Sequence, residues 1–274
     1  MQKNHLDPAL EKKWNQLLEL LSGFSSAVIA YSGGVDSSFL AYAGYQVMRD
    51  EMIAITVITS LEKEEIVKNA STYASQCGFR HITLPANPLK SLEFSANPVD
   101  RCYLCKKMLL EVLWEYANRF HIETVLEGQN LDDENDYRPG RKAVDESRTR
   151  SPLLEVGLTK SDIRLLAKAF GLPFWSQPSS PCLASRIPYG TKITLEAIRR
   201  IESAESFLYS LGFSVVRVRH YQDMARIEVE PEKLDELLGN RDKIIQYFGS
   251  IGYKCVSLDL QGYRLGSLNE GLIK

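Results

Sequence analysis

Ala27-Val28-Ile29-Ala30-Tyr31 is an apolar run that gives way to Ser32-Gly33-Gly34-Val35-Asp36-Ser37-Ser38, which in turn opens the helical pattern Phe39-Leu40-Ala41-Tyr42. A strand, paired glycines and a helix in that order let the backbone turn tightly, so that several N–H groups and a helix N-terminus face one anion. Ser32, Ser37 and Ser38 add hydroxyl donors. No lysine stands where the GxxxxGK[ST] loop requires one, which excludes the common γ-phosphate-cleaving loop. The segment is a phosphate cradle, and it points to an enzyme that breaks ATP.

Working outward, apolar strand candidates alternate with amphipathic helices. Met52 to Ile58 is followed by Glu62 to Gln76, His81 to Leu84, Leu104 to Phe120 and Ile122 to Leu126. This alternation predicts an α/β fold, a parallel sheet with helices on both faces. Ligands in such folds bind at the carboxyl ends of the strands, where Ser32, Thr56, Gly128 and Asn130 fall. Upstream, Asp7-Pro8 reads as an N-cap and first helical proline leading into Leu10, Trp14, Leu17, Leu18 and Leu21.

Glu134 to Leu153 is polar and basic, with Arg138, Arg141, Lys142, Arg148 and Arg150, and has no clear period. It reads as a long functional loop or as a solvated excursion. Thr159-Lys160-Ser161-Asp162 starts a helix through Phe170, ended by Gly171 and Pro173, and a second long loop runs from Trp175 to Thr191. A domain boundary near Thr191 separates residues 1–190 from a smaller α+β domain, 191–274. That domain has a helix from Leu195 to Leu211, strands near Val215–Arg219 and Ala225–Val229, a helix from Pro231 to Phe248 and a strand from Lys254 to Leu258.

The 274 residues are 44% hydrophobic and 25% charged, enough for a full core. A net charge of -2 provides no general pull toward nucleic acid or anionic membrane. Met1-Gln2-Lys3-Asn4-His5-Leu6 has no signal-peptide core and no apolar stretch reaches membrane-spanning length, so the expectation is a cytoplasmic protein. Five cysteines in a reducing compartment read as metal ligands, reactive thiols or core residues rather than disulfides.

Arg101-Cys102-Tyr103-Leu104-Cys105-Lys106 puts two thiols on one face at the start of a helical pattern, and Cys182 is a third, remote one. The pair alone is either two small core residues or two ligands. Three thiols suit a 4Fe-4S cluster with one iron open to a non-protein ligand. Arg101, Lys106, Lys107 and the helix N-terminus favour thiolate and offset the cluster's charge. Cys77 and Cys255 read as core. Arg217 and Arg219 lie two apart on a strand, so they share a face, either clamping a substrate phosphate or making surface ion pairs.

The Ser32 loop resembles the SGGxDS loop of the ATP pyrophosphatases, which implies an adenine nucleotide alpha hydrolase-like PP-loop domain. In that superfamily the loop grips the β- and γ-phosphates as a unit, so that ATP reacts at its α-phosphate and AMP passes to an acceptor. By that likeness Ser32, Gly33, Gly34, Asp36, Ser37, Ser38, Thr56 and Gly128 would surround ATP, with Asp36 beside a Mg2+ ion, since hard cations prefer carboxylate and phosphate oxygens.

With Gly128 to Gly140, the Cys102–Cys105 segment, Cys182-Leu183-Ala184-Ser185-Arg186-Ile187-Pro188-Tyr189-Gly190, Val216-Arg217-Val218-Arg219-His220 and Asp259-Leu260-Gln261-Gly262-Tyr263-Arg264, the chain resembles the LarE family over nearly its whole length. Its members are sulfur transferases of nickel-pincer cofactor synthesis. They adenylate a carboxylate of a pyridinium biscarboxylate mononucleotide and replace its oxygen with sulfur. One version sacrifices a single cysteine near the CLxSR segment; the other holds a sulfide-carrying 4Fe-4S cluster on three cysteines. Cys102, Cys105 and Cys182 imply the cluster version, with Ser185, Arg186, Arg217 and Arg219 around the substrate phosphate and a homo-oligomer, plausibly a hexamer, as the assembly. The sulfide donor is not indicated. A tRNA thiolase is the competing reading, against which the balanced charge argues. An ammonia-dependent amide ligase would leave the three thiols without a task, and a nucleotide-binding sensor would bind ATP without releasing pyrophosphate.

Overall fold

A computed structural model describes residues 7–134, 140–178 and 181–264, with Glu64 described by its backbone alone. In chain order the helices and strands are α1 (Pro8–Ser22), β1 (Ala27–Ala30), α2 (Val35–Met48), β2 (Met52–Ile58), α3 (Glu64–Cys77), β3 (His81–Pro85), α4 (Leu92–Ser95), α5 (Arg101–Arg119) and β4 (Thr124–Leu126). Then follow α6 (Gly140–Asp145), α7 (Pro152–Glu155), α8 (Lys160–Ala169), α9 (Leu195–Ser210), β5 (Val216–Tyr221), β6 (Met224–Val229), α10 (Leu234–Gly239), α11 (Arg241–Ser250) and β7 (Cys255–Leu258). They form two compact units, Met1–Pro88 with Asp100–Ser180, and Leu89–Val99 with Pro181–Lys274.

The first unit is built on a four-stranded sheet of order β3-β2-β1-β4, parallel throughout. Side chains of β1 alternate between two cores, as period-2 geometry requires. Ile29 joins Leu17, Leu21, Phe39, Leu40, Ala70 and Leu166, which come from α1, α2, α3 and α8. Val28 joins Ile53, Ile55, Leu110, Leu113 and Val144, which bring in α5 and α6. Helices thus cover both faces, and the carboxyl ends of β1, β2 and β4 lie side by side in the register Ala30↔Ile55 and Ile29↔Leu126. Among the described residues no helix is long and apolar enough to cross a membrane.

The second unit carries a three-stranded mixed sheet, β5-β6-β7, whose β5–β6 hairpin turns at Gln222 with φ 56°. Its core gathers Leu208, Phe213, Val216, Val218, Ile227, Phe248 and Tyr253. The Leu89–Val99 segment is fastened to this unit by the fully buried Asn97, whose Nδ2 donates to the Pro188 and Thr191 carbonyls at 2.7 and 2.9 Å.

Two stretches differ from the sequence reading. The single helix expected from Pro231 to Phe248 is broken at Asn240, where the side-chain amide donates to the Glu236 carbonyl and the backbone carbonyl accepts the Ile244 N–H. Gly239 and Asn240 are poor helix formers, and asparagine competes with the ladder through such local bonds. The stretch from Glu134 to Leu153 contains α6 and the start of α7; six residues are too few to display a period, and α6 is held by burying Ala143 and Val144 against α5. Arg138 lies outside the described residues.

Candidate active site

The phosphate loop follows β1 and ends on the N-terminus of α2. Gly33 has φ 74°, and a Cβ there would stand 2.8 Å from Ala70 Cβ and 3.3 Å from the Ile66 carbonyl, so the loop lies directly on α3. Only glycine reaches that position without strain. Gly34 is the N-cap of α2, and no side-chain bond caps the helix there. The first-turn N–H groups, which have no intrahelical partner, are therefore available to an anion. Ser37 Oγ lies 3.0 Å from Ser32 Oγ and donates to the Gly34 carbonyl at 3.2 Å, cross-linking the loop into one rigid turn. Gly128, after β4, completes the cradle: a Cβ there would fall 2.9 Å from the Ser37 nitrogen.

These residues border a cavity of about 530 Å³, within the range of small-molecule sites. Of the residues singled out in the sequence, Ser32, Gly34, Asp36, Ser37, Thr56 and Gly128 line it, and so does Cys102. Ser38 is fully buried beneath the turn. The Thr56 hydroxyl donates to the Tyr31 carbonyl at 2.7 Å and lies 2.8 Å from His81 Nε2, whose ring burial pushes below the ordinary imidazole value. Thr56 thus shapes the wall of the cavity. Ile55, Val57, Leu109, Leu110 and Leu113 form an apolar side, suited to a flat heterocycle.

Asp36 carries a buried carboxyl at the foot of the cradle. Burial pushes its carboxyl above the ordinary carboxylate range, with neighbouring Asp133 adding to the rise and Lys160 opposing it. Lys160 Nζ stands 3.6 Å from Asp36 Oδ2, while Oδ1 is buried with no hydrogen-bond partner among the described residues. Asp133, itself buried, lines the same cavity. An orphaned carboxylate oxygen beside a second carboxylate is a donor set that fits Mg2+ shared with phosphate oxygens.

Lys160 is a site residue that the sequence reading treats only as the start of a helix. It opens α8, its N–H held by Asp132 Oδ2 at 2.7 Å. Glu127 is another. Its buried carboxylate receives Lys106 Nζ at 2.9 Å, the Ser151 hydroxyl at 2.5 Å and the Gln129 N–H at 3.0 Å. Lys106 stands one helical turn beyond Cys102 on α5, so this ion pair ties the cysteine-bearing turn to the end of β4. The only sequence signal for Glu127 is its position directly after an apolar strand.

Cys102 is exposed and Cys105 half-buried in the first turns of α5, and none of the five cysteines forms a disulfide. Their helical spacing and basic neighbours fit two thiolate ligands of an iron–sulfur cluster. Cys182 is exposed and belongs to the second unit. Among the described residues, no three His, Cys, Asp or Glu side chains are grouped as around one metal ion.

In the second unit Cys182 precedes a short 3-10 turn, Leu183–Arg186. Arg186 is fully buried and pairs with Glu205 through Nε at 2.8 Å and Nη2 at 3.0 Å. Arg219 pairs with buried Glu228 in the same forked way, both bonds at 2.8 Å, and its Nη1 donates to the Ser185 carbonyl at 2.9 Å. Arg217 donates to the Val216 carbonyl, and its guanidinium stacks over Tyr263 at 4.9 Å. Ser185, Arg186 and Arg219 are thus brought together around the Cys182 turn, whereas the contacts of Arg217 are to Val216 and Tyr263. The forks of Arg186 and Arg219 are held by Glu205 and Glu228, whose sequence positions carry no mark of that role.

The family described as NAD synthase matches residues 11–121. An uncharacterised protein of Synechocystis is 39% identical over 97% of this chain and all of its own length. The pyridinium-3,5-bisthiocarboxylic acid mononucleotide synthase of Lactiplantibacillus plantarum is 35% identical over 97% of this chain and 96% of its own. A glutamine-hydrolysing GMP synthase component from Methanocaldococcus jannaschii is 29% identical over 68% of this chain and 62% of its own.

Proposed function

The chain belongs to the LarE family, and from that premise we propose that it is an ATP-dependent sulfur transferase acting on a pyridinium-3,5-biscarboxylate mononucleotide. The observation that carries the reading is the first unit's cavity. It joins a phosphate cradle, an orphaned Asp36 oxygen and Cys102 within one space. The likeness to the pyridinium-3,5-bisthiocarboxylic acid mononucleotide synthase supports the choice of substrate.

A carboxylate oxygen is a poor leaving group, and joining it to AMP makes it a good one. The free N–H groups of the α2 turn, with Ser32 and Ser37, hold the β- and γ-phosphates, leaving the α-phosphorus open to the substrate carboxylate. The carboxylate forms a bond to that phosphorus, and pyrophosphate leaves with the bonding electrons. Asp36 and Asp133 would hold Mg2+, which when bound draws charge from the phosphate oxygens. Lys160, beside Asp36, adds a positive charge where pyrophosphate develops. A sulfide then replaces the oxygen linked to AMP, yielding a thiocarboxylate and AMP. By the family resemblance, Cys102, Cys105 and Cys182 would hold a 4Fe-4S cluster, which when bound would supply that sulfide.

The test is anaerobic reconstitution with iron and sulfide, followed by pyrophosphate release and product mass with the pyridinium mononucleotide and, separately, with bulk tRNA. Sulfur entering the mononucleotide over repeated turnovers supports the proposal. Sulfur entering tRNA alone, or no cluster forming, overturns it. Loss of the Cys182 sulfur in a single turnover would replace the cluster with the sacrificial route.

A further inference from the structure

Two buried arginine–glutamate pairs in the second unit end on the same few residues of backbone. Arg186 is the largest fully buried side chain among the described residues. Besides its fork to Glu205, its Nη1 donates to the Pro181 carbonyl at 2.8 Å, the Cys182 carbonyl at 3.2 Å and Ser185 Oγ at 2.9 Å. Ser185 Oγ donates to the Cys182 carbonyl at 2.7 Å, and the Ser185 N–H reaches the same oxygen at 3.0 Å. Arg219, forked to Glu228, takes the Ser185 carbonyl. Glu205 Oε1 also accepts the Val218 N–H at 3.2 Å, tying this turn to the middle of β5.

A buried ion pair recovers little more than the cost of desolvating its charges, and an apolar pair of similar volume would often serve stability as well. Two such pairs on one short segment are therefore better explained by what their remaining donors hold than by stability. What they hold is the main chain on both sides of Cys182. We propose that Glu205 and Glu228 are positioning residues: through Arg186 and Arg219 they lock the Pro181–Ser185 backbone that presents the Cys182 thiol. The role attributed to Cys182 rests on the sulfur-transfer reading; the lock itself does not.

Consequences follow for the two arginines. A guanidinium is a rigid fork whose edge toward one carboxylate is not available to a second oxyanion. Arg186 and Arg219 are thus backbone clamps, and Arg217, stacked on Tyr263, is the arginine left to meet a substrate phosphate from this face of β5.

The experiment uses the full chain carrying Glu205→Gln, Glu228→Gln, or Arg186→Met combined with Glu205→Leu. The double variant removes both buried charges, and so tests the clamp even where a single variant fails to fold. Hydrogen exchange followed by mass spectrometry should accelerate by about tenfold or more in the peptide covering 181–187, while the peptide covering 32–38 keeps its parental rate. Alkylation by iodoacetamide should change at Cys182 relative to Cys102 in the same molecules. In the single variants kcat for sulfur transfer should fall, with KM for ATP held. Exchange at 181–187 within about twofold of the parent in a folded variant overturns the proposal, as does acceleration spread uniformly over the second unit. If the parent transfers no sulfur, the proposed function has failed, but the exchange result still decides the clamp.

Discussion

Gly128→Ala isolates the part of the site that depends on close approach alone. Gly128 has no left-handed backbone angle to strain, so the substitution acts only through the added methyl carbon. That carbon would stand 2.9 Å from the Ser37 nitrogen, 3.0 Å from Ser37 Cα and 3.2 Å from the Asp36 carbonyl carbon, all backbone atoms of the first turn of α2. Ordinary van der Waals contact begins near 3.4 Å, so the two segments must part by about half an ångström. Neither is free to do so. Gly128 follows β4, which pairs with β1, and α2 follows β1 after only the four residues of the loop, Tyr31 to Gly34. Overpacking of this kind costs about 1–3 kcal/mol, or roughly 2–12 °C in Tm at about 2–4 °C per kcal/mol for a unit of this size. The shift falls on the N–H groups that cradle phosphate, where a displacement approaching 1 Å can cost about a hundredfold, so kcat/KM for pyrophosphate release should fall by about ten- to a hundredfold. Differential scanning fluorimetry and a coupled pyrophosphate assay measure the two effects. A variant within about 1 °C of the parent Tm, releasing pyrophosphate at the parental rate, would refute the reasoning.

Three further outcomes follow from the same geometry. Gly33→Ala meets both a φ of 74° and the Ala70 methyl at 2.8 Å, so it should lose about 2–5 kcal/mol by urea denaturation. Asp36→Asn should abolish pyrophosphate release yet raise Tm at neutral pH. Burial holds the folded-state carboxyl above its unfolded value, so the native form binds the proton more tightly, and stability drains away as pH rises through the raised value. The gain should vanish below about pH 4, where both states are protonated; a gain independent of pH would remove Asp36 as its source. Cys102→Ala, Cys105→Ala and Cys182→Ala should each stop sulfur transfer and largely spare pyrophosphate release, read by product mass and the coupled assay; a variant that still transfers sulfur repeatedly takes that cysteine out of the chemistry.

Much of the first unit is legible because its signals are local. The run Ala27 to Ala30, the paired glycines and the helical pattern after Val35 each dictate their own conformation, and the alternation that follows leaves a parallel sheet as its packing solution. The same logic puts Thr56 and Gly128 at strand ends facing the loop. What escapes a reading of the sequence is carried by contacts between distant residues. Lys160 reads as a helix start because its neighbour Asp36 lies far away in the chain. Nothing in the local sequence singles out Glu205 or Glu228, and only the buried arginines opposite them explain their burial. Leu89–Val99 joins the second unit through Asn97, whose bonds reach across more than ninety positions of chain and leave no local pattern. The break at Asn240 does have a local signal, since Gly239 and Asn240 both weaken a helix interior.

The central claim is that the loop at Ser32 activates a carboxylate which the cysteines' chemistry then turns into a thiocarboxylate. The most direct measurement is the mass of the pyridinium mononucleotide after incubation with reconstituted protein, ATP and Mg2+, with AMP and pyrophosphate quantified alongside. The account predicts exchange of oxygen for sulfur in the mononucleotide, one AMP and one pyrophosphate per sulfur, continuing past one turnover per chain. Pyrophosphate release with no sulfur in the mononucleotide would contradict it.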